Sequence, residues 1–297
     1  MSQELNRSRT RDWLVAVGLG LIALPAWAGL RYRTESRDQG GRARVTEVAV
    51  EGSQVRVEFG RSQYFFGKGD YLLTSDGFET LRWLVPKKKH YFEMDLGDVL
   101  GMMGRIAGGG IPIVFEVDIE EPRVEKVFEV DAEPLHGLPT RHARFVMSYR
   151  NRTRTMLPSR FGVKREQKET WFQVVQDVWF TDTLVEPALE RWLRPVERTG
   201  NRGRDRLLVA ESSQIPGFPL RIETVTTSST RDLETTRIRL GGLGIRIDKK
   251  FYLGEGFRSA EIDVRRRTTE VVFLERITGP ISAELFQIPA GYTLVGK

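Results

Sequence analysis

The sequence predicts a mainly β (α+β) fold, a curved antiparallel sheet with one or two helices on its concave face, on three observations. Most of the chain from Val45 to Val295 alternates apolar and polar residues with the period of a strand. Turn-forming sequences punctuate that alternation at hairpin spacing, as in Glu51-Gly52-Ser53 and Ser75-Asp76-Gly77. The period changes conspicuously at Met94–Gly110, where Leu96, Val99, Leu100, Met103, Ile106 and Ala107 recur at helical spacing. Asp95 can cap the start of that helix and Gly108 can end it in a left-handed turn.

The elements follow in order. Val45–Val50 and Val55–Phe59 form a hairpin, and Tyr64–Thr74 leads through the Asp76-Gly77 turn into Phe78–Val85. Pro86-Lys87-Lys88-Lys89 turns the chain into His90–Glu93, a meander rather than βαβ units. Beyond the helix, Ile113–Ile119 and Val124–Val130 read as strands, Asp131–Pro139 as a loop, and Thr140–Arg150 as a strand. Phe161–Phe180 reads as one long or bent strand, or two. Pro187–Arg194 is a second helix candidate, its proline at the favoured first position. Arg198–Arg206 reads as a polar loop, and Phe218–Thr227 with Leu233–Leu240 as a hairpin across Ser228–Asp232. Strands are expected at Ile245–Leu253 and Ala260–Ile277, with a turn-rich tail at Ile281–Val295. No internal repeat and no shift of composition divides residues 45–297, so they are expected to form a single domain.

The N-terminus bears on compartment. Arg7, Arg9 and Arg11 precede the apolar run Trp13–Leu24, and Ala26-Trp27-Ala28 forms a cleavage-type site. Residues 1–28 are therefore expected to be a signal peptide, or an uncleaved anchor over residues 13–30. Either reading exports the remainder, and the bacterial periplasm is the expected compartment. Arg31–Arg44 lacks an apolar period and reads, with Gly29 and Leu30, as a flexible linker.

Composition excludes several chemistries. There are 0 cysteines, so no disulfide, thiolate metal site or cysteine nucleophile exists. The net charge of +6 is scattered, with no like-charge block longer than Lys87–Lys89 or Arg265–Arg267, and no nucleic-acid motif accompanies it. The chain contains 3 histidines, His90, His136 and His142, and the last two could help bind zinc. Their spacing fits hydrogen-bonded turn residues better than any metal pattern. Asp131 with Glu133, and Asp182 with Glu186, are conceivable acid–base pairs, but no nucleophile motif, P-loop or dinucleotide fingerprint accompanies them. No enzymatic role and no cofactor is expected.

Four stretches resemble an exported bacterial family of unknown function related to the outer-membrane lipoprotein carrier and its receptor. They are the hairpin from Ser75-Asp76-Gly77 to Pro86-Lys87-Lys88-Lys89-His90-Tyr91, the turn His136-Gly137-Leu138-Pro139-Thr140-Arg141-His142, the segment Val178-Trp179-Phe180-Thr181-Asp182, and the ending Ala283-Glu284-Leu285-Phe286-Gln287-Ile288-Pro289-Ala290-Gly291-Tyr292. The resemblance implies an unclosed half-barrel with helices on its apolar inner face, and a role in carrying acylated ligands or sensing lipids. This chain is longer than the carrier proper, and no carrier-specific arginine can be placed on it.

The helix face has two readings, core filling and the lining of an acyl-chain cavity. In the second, Leu100, Met102, Met103 and Ile106 line the hollow, methionine adapting to irregular ligands, and Trp171, Trp179 and Phe180 wall it. The expected function is an exported, non-enzymatic binding protein for a lipid or acyl chain. The alternative is an envelope sensor or assembly factor that contacts a protein partner through a closed cavity.

Overall fold

The computed structural model describes residues 29–62, 66–95, 116–159, 162–184, 205–206, 209, 217–241, 244–251, 262–277 and 279–296. Both expected helices lie outside them, apart from Met94 and Asp95, as does the segment 1–28; Met94 closes a strand. Among the described residues no helix is long and apolar enough to cross a membrane.

The protein is mostly β, built on one large unclosed sheet. Strands β1 (Gly29–Asp38), β2 (Ala43–Glu51), β3 (Gln54–Phe59), β4 (Tyr71–Thr74), β5 (Leu81–Val85) and β6 (His90–Met94) form its short half. Strands β7 (Glu116–Leu135), β8 (Leu138–Ser159), β9 (Gly162–Thr181), β10 (Phe218–Gly241), β11 (Gly244–Phe251) and β12 (Ile262–Ile277) form its long half, and β13 (Thr293–Gly296) returns to the short one. The order across the sheet is β13-β6-β5-β4-β3-β2-β1-β12-β10-β9-β8-β7. Strand β10 pairs β12 along its first part and β11 along its second. Every pairing is antiparallel except β13 on β6.

Three expectations about the chain path are corrected. Gly29–Asp38, read as linker, is a central strand between β2 and β12. Only Leu30 and Tyr32 are apolar among its inward residues; Thr34 and Ser36 carry the inward side onward, so the alternation was masked by polarity. Asp131–Pro139, read as a loop, continues β7 to Leu135. A bulge between Ala132 and Leu135 accommodates Glu133 and Pro134, since proline cannot join a ladder. His136 (φ 52) and Gly137 (φ 70) then form the whole turn, both in the left-handed region that a tight hairpin of right-handed twist requires. Finally, Phe218–Gly241 is one 24-residue strand rather than a hairpin. Ser228–Asp232 contains neither glycine nor proline, and it is held extended by β9 along its whole length and by β12 at Ser228 and Ser229.

The sheet bends over its own inner face. Leu72 and Leu81 of the short half share one core with Val48, Val50, Val55, Val57, Phe59 and Tyr32, and also with Leu138, Phe218 and Leu220 of the long half. The tip of the β7–β8 hairpin reaches across, and His136 Nε2 lies 2.6 Å from the carbonyl oxygen of Val271 on β12. A flat sheet would keep those strands apart.

The outer face of the short half is covered by the C-terminal tail. Ile281 and Phe286 pack on Ala49, and Ile288 and Tyr292 pack on Tyr71, Leu73 and Leu84. This covering explains why all four residues of β4 are buried, whereas a half-exposed strand alternates. The Leu285–Tyr292 motif is thus a strap that gives the short half a second core. Gly29 sits beneath it, where a Cβ would come within 2.6 Å of both Ile281 Cδ1 and the Val50 carbonyl oxygen.

Candidate functional site

The two faces of the long half differ in chemistry. The inner face carries Ala143, Phe145 and Met147 on β8 and Val174, Gln176, Val178 and Phe180 on β9, all buried and all apolar except Gln176, with Ile222 on β10 packed against Ala143, Phe145, Val178 and Phe180. Tyr149 and Phe172, stacked with ring centroids 4.9 Å apart, extend this strip along the strands. At Asn151 and Thr170 it turns polar, and Thr170 hydrogen-bonds Thr230 at 3.0 Å. Phe180 to Phe172 is about 27 Å of strand at roughly 3.4 Å per residue. Beside the strip, β10 presents half-buried Thr224, Thr226, Ser228 and Thr230 inward, opposite Arg267, Arg265 and Asp263 of β12. The inner face therefore passes from apolar to hydroxylated to charged across three strands.

Trp171 and Trp179 lie on the other face. Side chains of a strand alternate, so these odd-numbered residues of β9 point away from Phe180. The three expected wall residues consequently cannot line one hollow; Phe180 belongs to the inner strip and the tryptophans to the outer surface. Leu100, Met102, Met103 and Ile106 fall outside the described residues.

On the outer face the tryptophans form a ladder that sequence reasoning did not identify. The imidazole of His142 stacks on Trp179, centroids 4.1 Å apart and planes 5° from parallel, and the Arg221 guanidinium stands 4.9 Å from the same ring. Asp177 accepts hydrogen bonds from Arg144 Nε and Nη2 at 2.9 and 3.0 Å, and lies 2.9 Å from His142 Nε2. Eight residues back, Arg150 stands 4.3 Å over Trp171. Glu169, its side chain 0% exposed, is held by Arg152 at 3.1 Å, Arg231 at 2.6 Å and Arg150 at 3.9 Å. These contacts join residues directly opposite each other across β8, β9 and β10, save His142–Asp177 and the longer Arg150–Glu169 reach, which are diagonal. The signal was present in the sequence as a local echo, Glu169-Thr170-Trp171-Phe172 against Asp177-Val178-Trp179-Phe180. It alternates acid and tryptophan on one face with phenylalanine on the other.

The ladder sets the electrostatics. Burial works to raise the carboxyl pKa of Asp177, but hydrogen bonds from Arg144 and His142 outweigh it and hold the group below the usual carboxylate range. Glu169 is lowered in the same way, burial opposing and Arg152 and Arg231 prevailing. His136 and His142 are occupied with Val271 and Asp177 respectively, and among the described residues no group of three His, Cys, Asp or Glu could hold a metal ion. Asp182 approaches Arg141 at 4.0 Å, a surface ion pair.

Two clefts open on the outer face. One, of about 410 Å³, is lined by Glu35, Arg37, Asp38, Arg266, Glu270 and Val272 among others. The second, of about 240 Å³, lies between β1, β2, β3 and the C-terminal strap.

No family model matches the chain, and no curated protein matches it. A solved structure of an uncharacterized conserved protein from Thermus thermophilus is similar over 92% of this chain and 93% of its own, at 9% identity and a TM-score of 0.34. A likeness that slight carries no argument about fold or function.

Proposed function

We propose that the protein is an exported, non-enzymatic binding protein that holds a lipid or acyl chain against the inner face of its unclosed sheet. One observation carries the reading: the graded inner face, apolar on β8 and β9 apart from Gln176, hydroxylated on β10 and charged on β12. An amphiphile fits that sequence of surfaces, with the row Thr224, Thr226, Ser228 and Thr230 offering hydroxyls beside the apolar strip. The strip from Phe180 to Phe172, about 27 Å, exceeds the roughly 15 Å of one leaflet of a bilayer core about 30 Å thick, so an extended acyl chain fits along it. Each buried CH₂ contributes about 0.8 kcal/mol, so a partly inserted chain binds usefully. The stretch beyond β6, whose apolar residues recur at helical spacing from Leu96 to Ala107, supplies the opposing wall in this reading, with Leu100, Met102, Met103 and Ile106 toward the ligand. The leader-like segment 1–28 supports export to the periplasm, and the resemblance to lipoprotein-carrier relatives points the same way.

A second reading has its own support. Phe145, Val178 and Phe180 are at most 2% exposed, while Val127 and Val130 on the edge strand β7 are more than half exposed. A closed inner face with an apolar edge suits a sensor or assembly factor that meets a protein partner. Lipid extraction and mass spectrometry of the purified full-length chain separates the two. A stoichiometric copurifying lipid is expected; a lipid-free protein would favour the partner-binding reading.

A further inference from the structure

The smaller outer cleft has a composition that the inner-face reading does not use. Two cross-strand rows form its floor, Arg31–Ala49–Arg56 and Arg33–Glu47–Glu58, and Phe273 of β12 stands opposite Arg33. Phe273 is 45% exposed, a large ring left against water beside a strap that covers its neighbours. Arg56 is fully engaged: it donates to Glu58 at 2.8 Å and to the Leu285 carbonyl oxygen at 3.3 Å, and it covers the Tyr71 ring at 3.7 Å. Arg31 and Arg33 are not. Among the described residues Arg31 makes no ion pair, and Arg33 meets Glu47 only at 3.9 Å, beyond hydrogen-bond reach, with both side chains about half exposed.

The cleft thus offers two guanidinium groups, one carboxylate and one exposed aromatic ring, each with unused capacity. Guanidinium groups match the oxygens of a phosphodiester, and the Glu47 carboxylate matches a primary ammonium. Glu275 stands opposite Arg31 without an ion pair among the described residues, so acids and arginines balance around the cleft. Such a balance favours a zwitterion over a purely anionic group. Phe273 and Leu285 provide apolar surface for the glycerol and acyl portions beyond the phosphate. Placement agrees: the uncharged run that begins at Trp13 ends at Leu30, directly before Arg31. We propose that this cleft binds the phosphoethanolamine headgroup of a membrane phospholipid, the phosphate at Arg31 and Arg33 and the ammonium at Glu47.

The test uses purified full-length chain and dihexanoyl-phosphatidylethanolamine below its micelle concentration, titrated by calorimetry. Dihexanoyl-phosphatidylcholine, dihexanoyl-phosphatidylglycerol and inorganic phosphate are the comparison probes. The ethanolamine lipid is expected to bind about tenfold more tightly than the choline lipid, whose quaternary ammonium has no N–H for Glu47, and more tightly than free phosphate. Glu47→Gln should erase the difference between ethanolamine and choline lipids. Arg31→Ala with Arg33→Ala, or Phe273→Ala, should each weaken binding about tenfold, while Arg37→Ala with Arg266→Ala, an equal loss of charge on the same face, should not. Equal binding of all three lipids, or equal loss in the Arg37/Arg266 control, would overturn the proposal. Lipid copurifying on the inner face should persist in the Arg31/Arg33 variant, so failure here is distinguishable from failure of the inner-face reading.

Discussion

The imidazole of His142 lies flat on the indole of Trp179, 5° from parallel at 4.1 Å, while its Nε2 meets Asp177 at 2.9 Å. One side chain therefore couples the aromatic and ionic halves of the ladder. A double-mutant cycle of His142→Ala and Trp179→Ala, read by urea unfolding, should give a coupling energy of about 1 kcal/mol, typical of a stacked aromatic pair. Additive losses would mean that the stack contributes only buried area.

The lower units of the ladder rest on Glu169. Replacing it with Leu takes the shared carboxylate from Arg150, Arg152 and Arg231, leaving Arg152 with Glu120 and Arg150 with Glu120 and Glu121. Because the arginine side chains are 20% to 37% exposed, water screens part of the loss, and a cost of about 2 kcal/mol is expected in place of the roughly 3–5 of a fully buried pair. The measurement is the urea midpoint, with Lys126→Ala, a change to an exposed surface pair, as the neutral comparison.

Acid should act through the same groups. Asp177, Glu169 and Asp76 all titrate below their ordinary range, burial opposing and hydrogen bonds prevailing in each. A depressed carboxyl contributes stability that is present above its unfolded pKa, about 4 for these types, and is lost as pH falls through the folded value. Unfolding free energy should therefore fall below about pH 4. Asp177→Asn should be less stable than the parent at pH 7 and lose less on acidification, the two curves converging near pH 2–3. Parallel curves would remove Asp177 from the account.

The strap gives a steric prediction. Gly29→Val places a branched side chain where a Cβ alone meets Ile281 Cδ1 and the Val50 carbonyl oxygen at 2.6 Å. The Val50 oxygen belongs to the backbone of β2 and yields little, so the added bulk must push Ile281 outward and lift the strap, at about 1–3 kcal/mol for overpacking. Limited proteolysis should then release C-terminal fragments from about residue 281 onward, and Phe286→Ala should do the same by removing the strap's buried ring.

Much of this was legible in the sequence where chemistry and geometry coincide. The β2–β3 hairpin, the turn at Pro86–Lys88 and the long β9 follow from alternation and turn residues. Legibility failed where polar residues fill inward positions: β1 turns Thr34 and Ser36 inward, and β10 turns a row of threonines inward, so neither shows an apolar period. Pro134 and Pro122 suggested breaks, yet bulges carry β7 past both. For the site, Phe180 was recognisable as apolar, but grouping it with Trp171 and Trp179 ignored the alternation that places neighbours on opposite faces. The same alternation, applied to the acid–Trp–Phe echo, would have separated inner strip from outer ladder.

That separation supplies the most direct test of lipid binding at the inner face. Val174 and Val175 are adjacent on β9 and point to opposite faces. Lipid extracted from purified Val174→Trp, Val175→Trp and parent protein should be quantified by mass spectrometry, with circular dichroism confirming the fold. Val174→Trp, which fills the apolar strip, is expected to lose most of its lipid while Val175→Trp retains it. Equal lipid content in a folded Val174→Trp variant, or no lipid in the parent, would contradict it.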